Sequence, residues 1–203
     1  MNQSRSFPDW EQLYQEKAVE TMPWFHAELD PDLEQALIVL DRRSGSFLDL
    51  GTGPGTQAIA LAQRGFQVTA TDLSATAIQL AQEKAKAQGL SITFRQDDIL
   101  NSHLDHSFDF ILDRGVFHVF PPERRSDYVT VISRLLKPRG YLFLKCFSTL
   151  ETMEEGPYRF TPEEIVALFG DRFLIQSIEH TVYYGTLDPF PKALFGILQR
   201  KEA

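Results

Sequence analysis

The chain has 203 residues, of which 43% are hydrophobic, so it is long enough to bury one sizeable core. Its 28 acidic and 20 basic residues give a formal net charge of -8, which argues against a nucleic-acid partner. The single cysteine, Cys146, excludes an intrachain disulfide, and neither it nor the five histidines have the spacing of a metal site.

Two amphipathic helices are predicted near the start of the chain, at 10–19 and 32–40. A hinge containing Pro23 and Trp24 lies between them. We therefore predict that residues 1–45 form a helical cap or lid and that residues 46–203 form the main domain.

From Ser46 onward, short apolar runs alternate with helical patterns, which is typical of crossover units in a parallel sheet. Strands are predicted at 47–50, 68–71, 92–95, 108–113, 141–147, 173–184 and 194–201. Helices are predicted after Gly55, Ser74, Pro121-Pro122 and Thr161. The pattern predicts an α/β fold with a Rossmann-like, doubly wound sheet of about seven strands, mostly parallel, with helices on both faces and an antiparallel C-terminal hairpin.

A glycine-rich turn follows the first predicted strand in "FLDLGTGPGTQAIAL". Such a turn directs backbone N–H groups toward a ligand above the carboxyl edge of the sheet. A dinucleotide turn, G-x-G-x-x-G, needs its third glycine at position 56, where this chain has Thr56. Asp49 also replaces the small apolar residue that is usual before that turn. Both departures count against a pyrophosphate ligand.

A carboxylate beside the turn suits a cationic ligand, such as a sulfonium cofactor with an amino-acid tail. The stretch "FLDLGTGPG" resembles the first motif of the class I S-adenosylmethionine-dependent methyltransferases, an acidic residue followed by G-x-G-x-G. The resemblance implies S-adenosyl-L-methionine as the cofactor and a set of residues around its amino-acid end: Asp49, Gly51, Thr52, Gly53 and Gly55. The alternative is a tight turn that needs glycine only for its backbone geometry.

Asp72 ends the second predicted strand about 20 positions after Gly51, where an acidic side chain reaches the ribose hydroxyls of a bound nucleotide. Leu73 follows it in the predicted cofactor site. Since NAD sites use the same acid, this position indicates a ribose without selecting the cofactor.

The segment "RQDDIL" resembles the adenine clamp of the same family. The resemblance implies that Asp98 accepts from the exocyclic amine and that the backbone of Ile99 meets the ring, with Asp97 as a substitute for Asp98. A solvated loop is the alternative.

The segment "FDFILDRGVFHVF" resembles the fourth motif of the family, which implies that Asp113 and Arg114 lie beside the methionine part of the cofactor. His118 follows a few residues later and is the candidate catalytic residue, because it could orient or deprotonate a methyl acceptor. Packing against Phe117 and Phe120 is the alternative role for His118.

The amino-terminal segment "WEQLYQEKAVETMPWF" resembles the start of a small-molecule branch that contains thiopurine, thiol, halide and tellurite methyltransferases. Trp10, Tyr14 and Trp24 match its W-x-x-x-W and P-W signature with tyrosine in place of one tryptophan, although Phe25-His26-Ala27 departs from the branch's usual Asp-x-Gly. The resemblance implies that Trp24 shields the cofactor and that Trp10, Tyr14 and Phe25 contact the acceptor. Ordinary core packing is the alternative for these aromatic residues.

A second segment, "KCFS" followed by "EEGPYRFTPEE", resembles the loop that closes over the acceptor in this branch. It implies that Tyr158 and Arg159 contact an anionic or aromatic substrate, with solvent exposure as the alternative. Cys146 lies in an apolar strand, so no covalent role is expected for it.

The sequence thus predicts methyl transfer from S-adenosylmethionine to a small-molecule nucleophile, a thiol or another chalcogen, by in-line displacement. The alternatives are an O- or N-methyltransferase of a small metabolite, a non-catalytic cofactor-binding module and a nicotinamide oxidoreductase. Because the chain has no apolar run near the ~18 residues of a membrane span and no signal-peptide pattern in its first residues, we expect a cytoplasmic protein without membrane contact. A monomer and a homodimer are both compatible with the sequence.

Overall fold

The computed structural model describes residues 5–202, in which helices cover both faces of a mixed sheet. The eight strands of this part of the chain are β1 (Ser46–Leu50), β2 (Gln67–Asp72), β3 (Thr93–Gln96), β4 (Phe108–Arg114), β5 (Leu136–Ser148), β6 (Arg159–Phe160), β7 (Phe173–Val182) and β8 (Lys192–Arg200). The six α-helices are α1 (Trp10–Glu16), α2 (Pro31–Val39), α3 (Thr56–Gln63), α4 (Ala75–Ala87), α5 (Arg125–Leu135) and α6 (Pro162–Phe169).

The strand order is β3-β2-β1-β4-β5-β8-β7, and β6 pairs separately with β5. All pairs among the strands β1 to β6 are parallel, whereas β8 runs antiparallel to both β5 and β7. The predicted Rossmann-like, doubly wound fold with an antiparallel C-terminal hairpin is therefore confirmed. The strand that was not predicted, β6, is only two residues long, which is too short to give a periodic signal in the sequence.

Alternating side chains of the sheet enter two separate cores. On one face, Phe47 packs against Phe143 and the helices α2 and α3. On the other face, Leu48 joins Ile132 of α5 and Phe169 of α6. Adjacent residues of one strand thus bury opposite faces, as the pleat of a β-strand requires.

The connection from α5 to β5 differs most from the prediction. A 3-10 turn at Pro122–Arg124 precedes α5. The strand β5 begins directly after α5, at Leu136 rather than at the predicted Tyr141. Arg139 has a φ of 64°, and the pairing with β4 shifts register between Phe108 and Phe110. The chain therefore makes an irregular turn within "KPRG" and stays paired with β4 on both sides of it.

The amino-terminal segment packs against the sheet and its helices. The carboxylate of Glu11 on α1 accepts from the hydroxyls of Ser74 and Thr76, both at 2.6 Å, at the start of α4. These hydrogen bonds lower the pKa of Glu11 to about 2. On α2, Leu33 and Leu37 belong to the same core as β1.

The division into a cap at 1–45 and a main domain at 46–203 stays a prediction, and residues 1–4 and 203 lie outside the described residues. Across positions 5–202, no helix combines the length and the apolar character needed to cross a membrane.

Candidate cofactor and acceptor site

A cavity of about 410 Å³ lies at the carboxyl ends of the parallel strands. It is bounded by Gly51 after β1, Asp72 at the end of β2, Asp97 after β3 and Arg114 at the end of β4. The strand order reverses between β1 and β4, and open α/β sheets bind their ligands at this reversal. The topology therefore makes this cavity the candidate site.

The glycine turn has a conformation that other residues rarely adopt, with φ values of 66° at Gly51, 51° at Gly53 and 82° at Gly55. A Cβ atom on Gly51 would collide with Val116, and one on Gly53 would lie 2.6 Å from the hydroxyl of Tyr14. Gly51 lines the cavity, whereas Gly53 lines a smaller second cavity and Gly55 is the N-cap of α3. Both backbone conformation and space therefore require glycine in this turn.

Asp49 is 2% exposed and faces a second, smaller cavity of about 40 Å³, which also touches Thr52, Gly53 and Trp24. Its carboxylate accepts from the hydroxyl of Thr52 at 2.5 Å. Burial raises the pKa of Asp49 to about 7. A cation bound in this small cavity would relieve the desolvation of the carboxylate.

Asp72 joins the end of β2 to the glycine turn. Its two carboxylate oxygens accept from the backbone N–H groups of Gly53 at 2.8 Å and Ser74 at 2.9 Å. Burial raises its pKa. Each oxygen keeps a further lone pair, and Asp72 lines the cavity, so the carboxylate can accept from a vicinal diol. The neighbouring Leu73 is half-exposed and lines the same cavity.

The two carboxylates of the predicted adenine clamp have different partners. Asp98 caps the 3-10 turn Ile99–Asn101 and accepts from the N–H of Leu100 at 3.0 Å and the amide of Asn101 at 2.7 Å. Asp97 accepts at one oxygen from the N–H of His103, and within residues 5–202 its other oxygen is buried without a partner. Asp97, Asp98 and Ile99 all line the cavity. The carboxylate with an unpaired oxygen is thus Asp97, which the sequence offered as the substitute.

The hydroxyl of Thr71 is a second buried polar group on the cavity wall that has no partner in this part of the chain. Buried polar atoms in native proteins almost always have partners, so these two positions call for a polar ligand. A nucleoside supplies both hydroxyl and amine groups. The residues present therefore fit S-adenosylmethionine, although its individual contacts stay predictions.

Asp113 lies outside the cavity lining. It is fully buried and accepts from three successive backbone N–H groups, those of Gly115, Val116 and Phe117, and from the hydroxyl of Tyr128 at 2.5 Å. Burial raises its pKa to about 6. The structure thus gives Asp113 a role in shaping the turn after β4.

Arg114 lines the cavity, but its guanidinium is held by three segments of the protein. It donates to Asp30 at 2.8 Å, to the carbonyl of Trp24 at 2.9 Å and to the carbonyl of Tyr184. Asp30 also pairs with Lys145 of β5, which is completely buried. Burial would raise the pKa of Asp30, but the charges of Lys145 and Arg114 outweigh it and keep that pKa below its ordinary value.

Sequence reasoning missed this ion-pair network. A lysine inside the apolar strand "YLFLKCF" was its only signal, since a buried cation requires a buried partner.

Three of the predicted aromatic residues, Trp10, Tyr14 and Trp24, lie together on the cavity wall, with the two indoles in edge contact at 5.8 Å. Phe25 lies instead on the small cavity beside Asp49. The structure does not bring Tyr158 and Arg159 into the cavity lining. Tyr158 is buried against Phe7, and Arg159 donates to the carbonyls of Met153 and Glu155.

His118 lines the cavity and is buried against the rings of Phe147 and Tyr183. Its Nδ1 accepts from the backbone N–H of Phe147 at 3.3 Å. Burial, together with the nearby charge of Arg114, lowers the pKa of His118 to about 3, so the imidazole is neutral. Because of this low pKa, His118 is a poor general base.

The cavity wall also contains apolar residues from three distant parts of the chain. They are Phe7, Pro8, Val119, Phe120, Leu187 and Pro191. Sequence reasoning did not select them because no local pattern links these segments. Val119 and Phe120 directly follow His118 in the chain, which makes this apolar part of the wall the candidate acceptor compartment.

Comparison with known proteins agrees with a nucleotide-type site in an α/β enzyme. Residues 47–140 match a family model described as a methyltransferase domain. The chain is 30% identical over 172 residues to the 2-heptyl-1-hydroxyquinolin-4(1H)-one methyltransferase of Mycobacteroides abscessus, an alignment that covers 83% of this chain and 75% of that protein.

Two further matches differ in coverage. The tRNA 5-carboxymethoxyuridine methyltransferase of Escherichia coli is 35% identical over 122 residues, which is 58% of this chain and 46% of that protein. A solved structure from work on conversion of a disulfide bond into a thioacetal group during echinomycin biosynthesis superposes with a TM-score of 0.81 at 25% identity, covering 95% of this chain and 91% of that one.

The chain belongs to the class I S-adenosylmethionine-dependent methyltransferases. It is an enzyme, and its cofactor is S-adenosylmethionine. The resemblance to the thiopurine and tellurite branch is not decided by these matches and stays a prediction.

Proposed function

We propose that this methyltransferase acts on a small, largely apolar acceptor that reacts as an anion at a chalcogen atom, with a thiol as the first candidate. The observation that supports the proposal is that no described titratable residue of the cavity lining is suited to act as a base for the acceptor. The titratable side chains of the described residues that line the cavity are Tyr14, Asp72, Asp97, Asp98, Arg114, His118 and Tyr183.

None of these groups is suited to deprotonate an acceptor beside the apolar wall. His118 is neutral with a lowered pKa, and burial raises the pKa of Tyr183, whose hydroxyl donates to the carbonyl of Arg114. The carboxylates belong to the ends of β2 and β3. An acceptor must therefore ionise by itself, which a thiol with a pKa near ~8.5 does far more readily than an aliphatic alcohol.

S-adenosylmethionine supplies a methyl group on a sulfonium. When bound, it would transfer this methyl group to the acceptor anion, and the electron pair of the broken carbon–sulfur bond would stay on sulfur. A negative and a positive charge are thereby lost together, and a cavity that excludes water favours such a step. The apolar wall and the aromatic cover of Trp10 and Trp24 support this requirement.

In this proposal the chain's own residues bind and orient the two reactants. Asp72 accepts from the ribose, Asp97 or Asp98 from the adenine, and the turn with Asp49 contacts the amino-acid end of the cofactor. Trp24 covers the reacting centre, and the aromatic face attracts the cationic sulfonium.

An acidic hydroxyl is the second candidate acceptor group. The relative from Mycobacteroides abscessus is named for a 1-hydroxyquinolinone, a flat apolar ring with a hydroxyl group. Such a molecule meets the same two requirements, an apolar framework and an atom that ionises without a base. A small-molecule acceptor rather than nucleic acid, and a cytoplasmic location, stay predictions.

The experiment is a transfer assay with one aromatic framework that carries a thiol, a phenol, an N-hydroxyl or a primary amine. We expect the thiol to be methylated fastest and the acidic hydroxyls next, with the amine at background. An enzyme that methylates the amine fastest would contradict the proposal. Omission of S-adenosylmethionine is the blank, and each acceptor without enzyme reports uncatalysed transfer.

A further inference from the structure

We propose that His118 is a catalytic residue that donates a hydrogen bond from Nε2–H to the anionic atom of the acceptor. This inference rests on the proposed function, because it assigns a group to that acceptor. It replaces deprotonation, one of the two roles that the sequence suggested, with a fixed donor.

The backbone of β5 fixes the tautomer of His118. The N–H of Phe147 points at Nδ1 with an N···N distance of 3.3 Å, and a backbone amide can only donate. Nδ1 must therefore present its lone pair. In a neutral imidazole the single proton then resides on Nε2.

Nε2 lies on the side of the ring that is close to Gly115, a residue of the cavity lining. Within the described part of the chain, Nε2 has no hydrogen-bond partner. The atom is not fully buried, so it reaches accessible space. Gly115, with a φ of 114°, keeps that space open, because a Cβ atom there would lie 3.3 Å from Nε2. The N–H group is thus available to a ligand.

Two aromatic rings that also contact each other hold the imidazole in place. Phe147 contacts it edge to face at 5.2 Å and 86°, and the ring of Tyr183 lies at 5.9 Å. The carbonyl of His118 accepts from the N–H of Tyr158 at 2.9 Å. The charged group that acts on the ring is Arg114 from β4, whose cation opposes a second proton, and the phenol ring of Tyr183 packs against the imidazole.

A donor at this position selects the chemistry of the acceptor. A thiolate or a phenolate has lone pairs for both the attack on the methyl carbon and the hydrogen bond from Nε2–H. A neutral amine has a single lone pair, which the attack uses. The donor also stabilises the anion relative to the protonated acceptor and so raises the reactive fraction below the acceptor's own pKa.

Three variants separate this role from a base and from a structural role. His118→Phe keeps a ring but removes the donor, His118→Gln offers an amide N–H at a similar reach, and His180→Gln makes the same change at an exposed histidine outside the cavity lining. Calorimetric titration with S-adenosylmethionine and a thermal melt of each variant check that the fold and the cofactor site are intact.

We expect His118→Phe to lower kcat/KM by about 10- to 100-fold at a pH below the acceptor's pKa, as for loss of a hydrogen bond to a charged group. The loss should shrink at a pH above that pKa, and His118→Gln should recover part of the rate. A loss that is equal at every pH would contradict the proposal. A His118→Gln variant as slow as His118→Phe would contradict it as well.

The tautomer itself is measured by ¹⁵N NMR of the imidazole in the enzyme without acceptor. We expect the proton on Nε2 from about pH 5.5 to about pH 8.5, without titration in that interval. The opposite tautomer would overturn the assignment. If the wild-type enzyme methylates no thiol or hydroxyl acceptor, the proposed function fails, whereas the NMR result tests His118 alone.

Discussion

The backbone N–H of Gly53 donates to the carboxylate of Asp72 at 2.8 Å, which fastens the glycine turn after β1 to the end of β2. The same carboxylate lines the large cavity. One hydrogen bond thus sets both the shape of the turn and the orientation of the acid that is predicted to contact the ribose.

Replacement of Asp72 by asparagine should weaken S-adenosylmethionine binding. The side-chain amide would present one oxygen instead of two and no charge, and loss of a hydrogen bond to a charged group costs about 1.5–3 kcal/mol, or about 10- to 100-fold in Kd. Isothermal titration calorimetry measures this change. Asp127→Asn on the exposed side of α5 is the matched control, and an unchanged Kd in Asp72→Asn would exclude the predicted contact.

Substitutions of the two clamp carboxylates, Asp97 and Asp98, should have different effects on cofactor binding. Asp97→Asn should weaken cofactor binding, because its buried oxygen has no partner among residues 5–202. Asp98→Ala should act mainly on stability, by about 1 kcal/mol, because alanine removes the side-chain cap of the 3-10 turn. Calorimetry measures the change in Kd and urea unfolding the change in stability. Weaker cofactor binding in the Asp98 variant but not in the Asp97 variant would indicate that Asp98 contacts the adenine.

Stabilisation by the cofactor should increase with pH, because burial raises the pKa of Asp49 from its ordinary value of 3.8 to about 7. The contribution of this raised pKa to folding stability is present below the unfolded pKa and is lost as the pH rises through the folded pKa. An ammonium group of the bound cofactor near Asp49 would favour the charged carboxylate and recover part of that loss.

The gain in Tm at a fixed concentration of S-adenosylmethionine should therefore grow from about pH 5.5 to about pH 7.5, with Kd falling by about 25-fold at most. Asp49→Asn should give a gain that does not vary with pH. Asp113 also has a raised pKa, but it lies outside the cavity lining and should not affect this gain. A pH-independent gain in the wild type would contradict the predicted role of Asp49.

The glycine turn should tolerate alanine less well than an ordinary left-handed position. Gly89→Ala, at a φ of 68° with open space around it, should cost about 1–2 kcal/mol through backbone strain alone. Gly51→Ala has a similar φ of 66° and also collides with Val116, so its cost should be larger. Chemical denaturation measures both, and the double variant Gly51→Ala with Val116→Ala should recover the difference. An equal loss of unfolding free energy in Gly51→Ala and Gly89→Ala would exclude the collision.

Much of the fold and one side of the site could be predicted from the sequence, because both depend on local patterns. Strand and helix periodicity specify the parallel sheet, and parallel strands bring their carboxyl ends to one edge. Asp72 and the glycine turn follow strands at that edge, so their proximity was predictable.

The acceptor side could not be predicted in the same way, because it depends on tertiary contacts between distant segments. Phe7, Phe120 and Leu187 meet on one wall without any shared periodicity. Asp113 follows the family's motif, yet the turn after β4 folds back over its carboxylate and closes it off. Only the structure shows that Asp97, rather than Asp98, keeps an oxygen without a partner among the described residues.

The most direct test of the proposed activity follows an isotopically labelled methyl group from S-adenosylmethionine to an aromatic thiol by mass spectrometry. The proposal predicts labelled thioether and demethylated cofactor in equal amounts, dependent on the enzyme and diminished in Asp72→Asn. Cofactor that binds while no thiol or acidic hydroxyl acquires the label would contradict it.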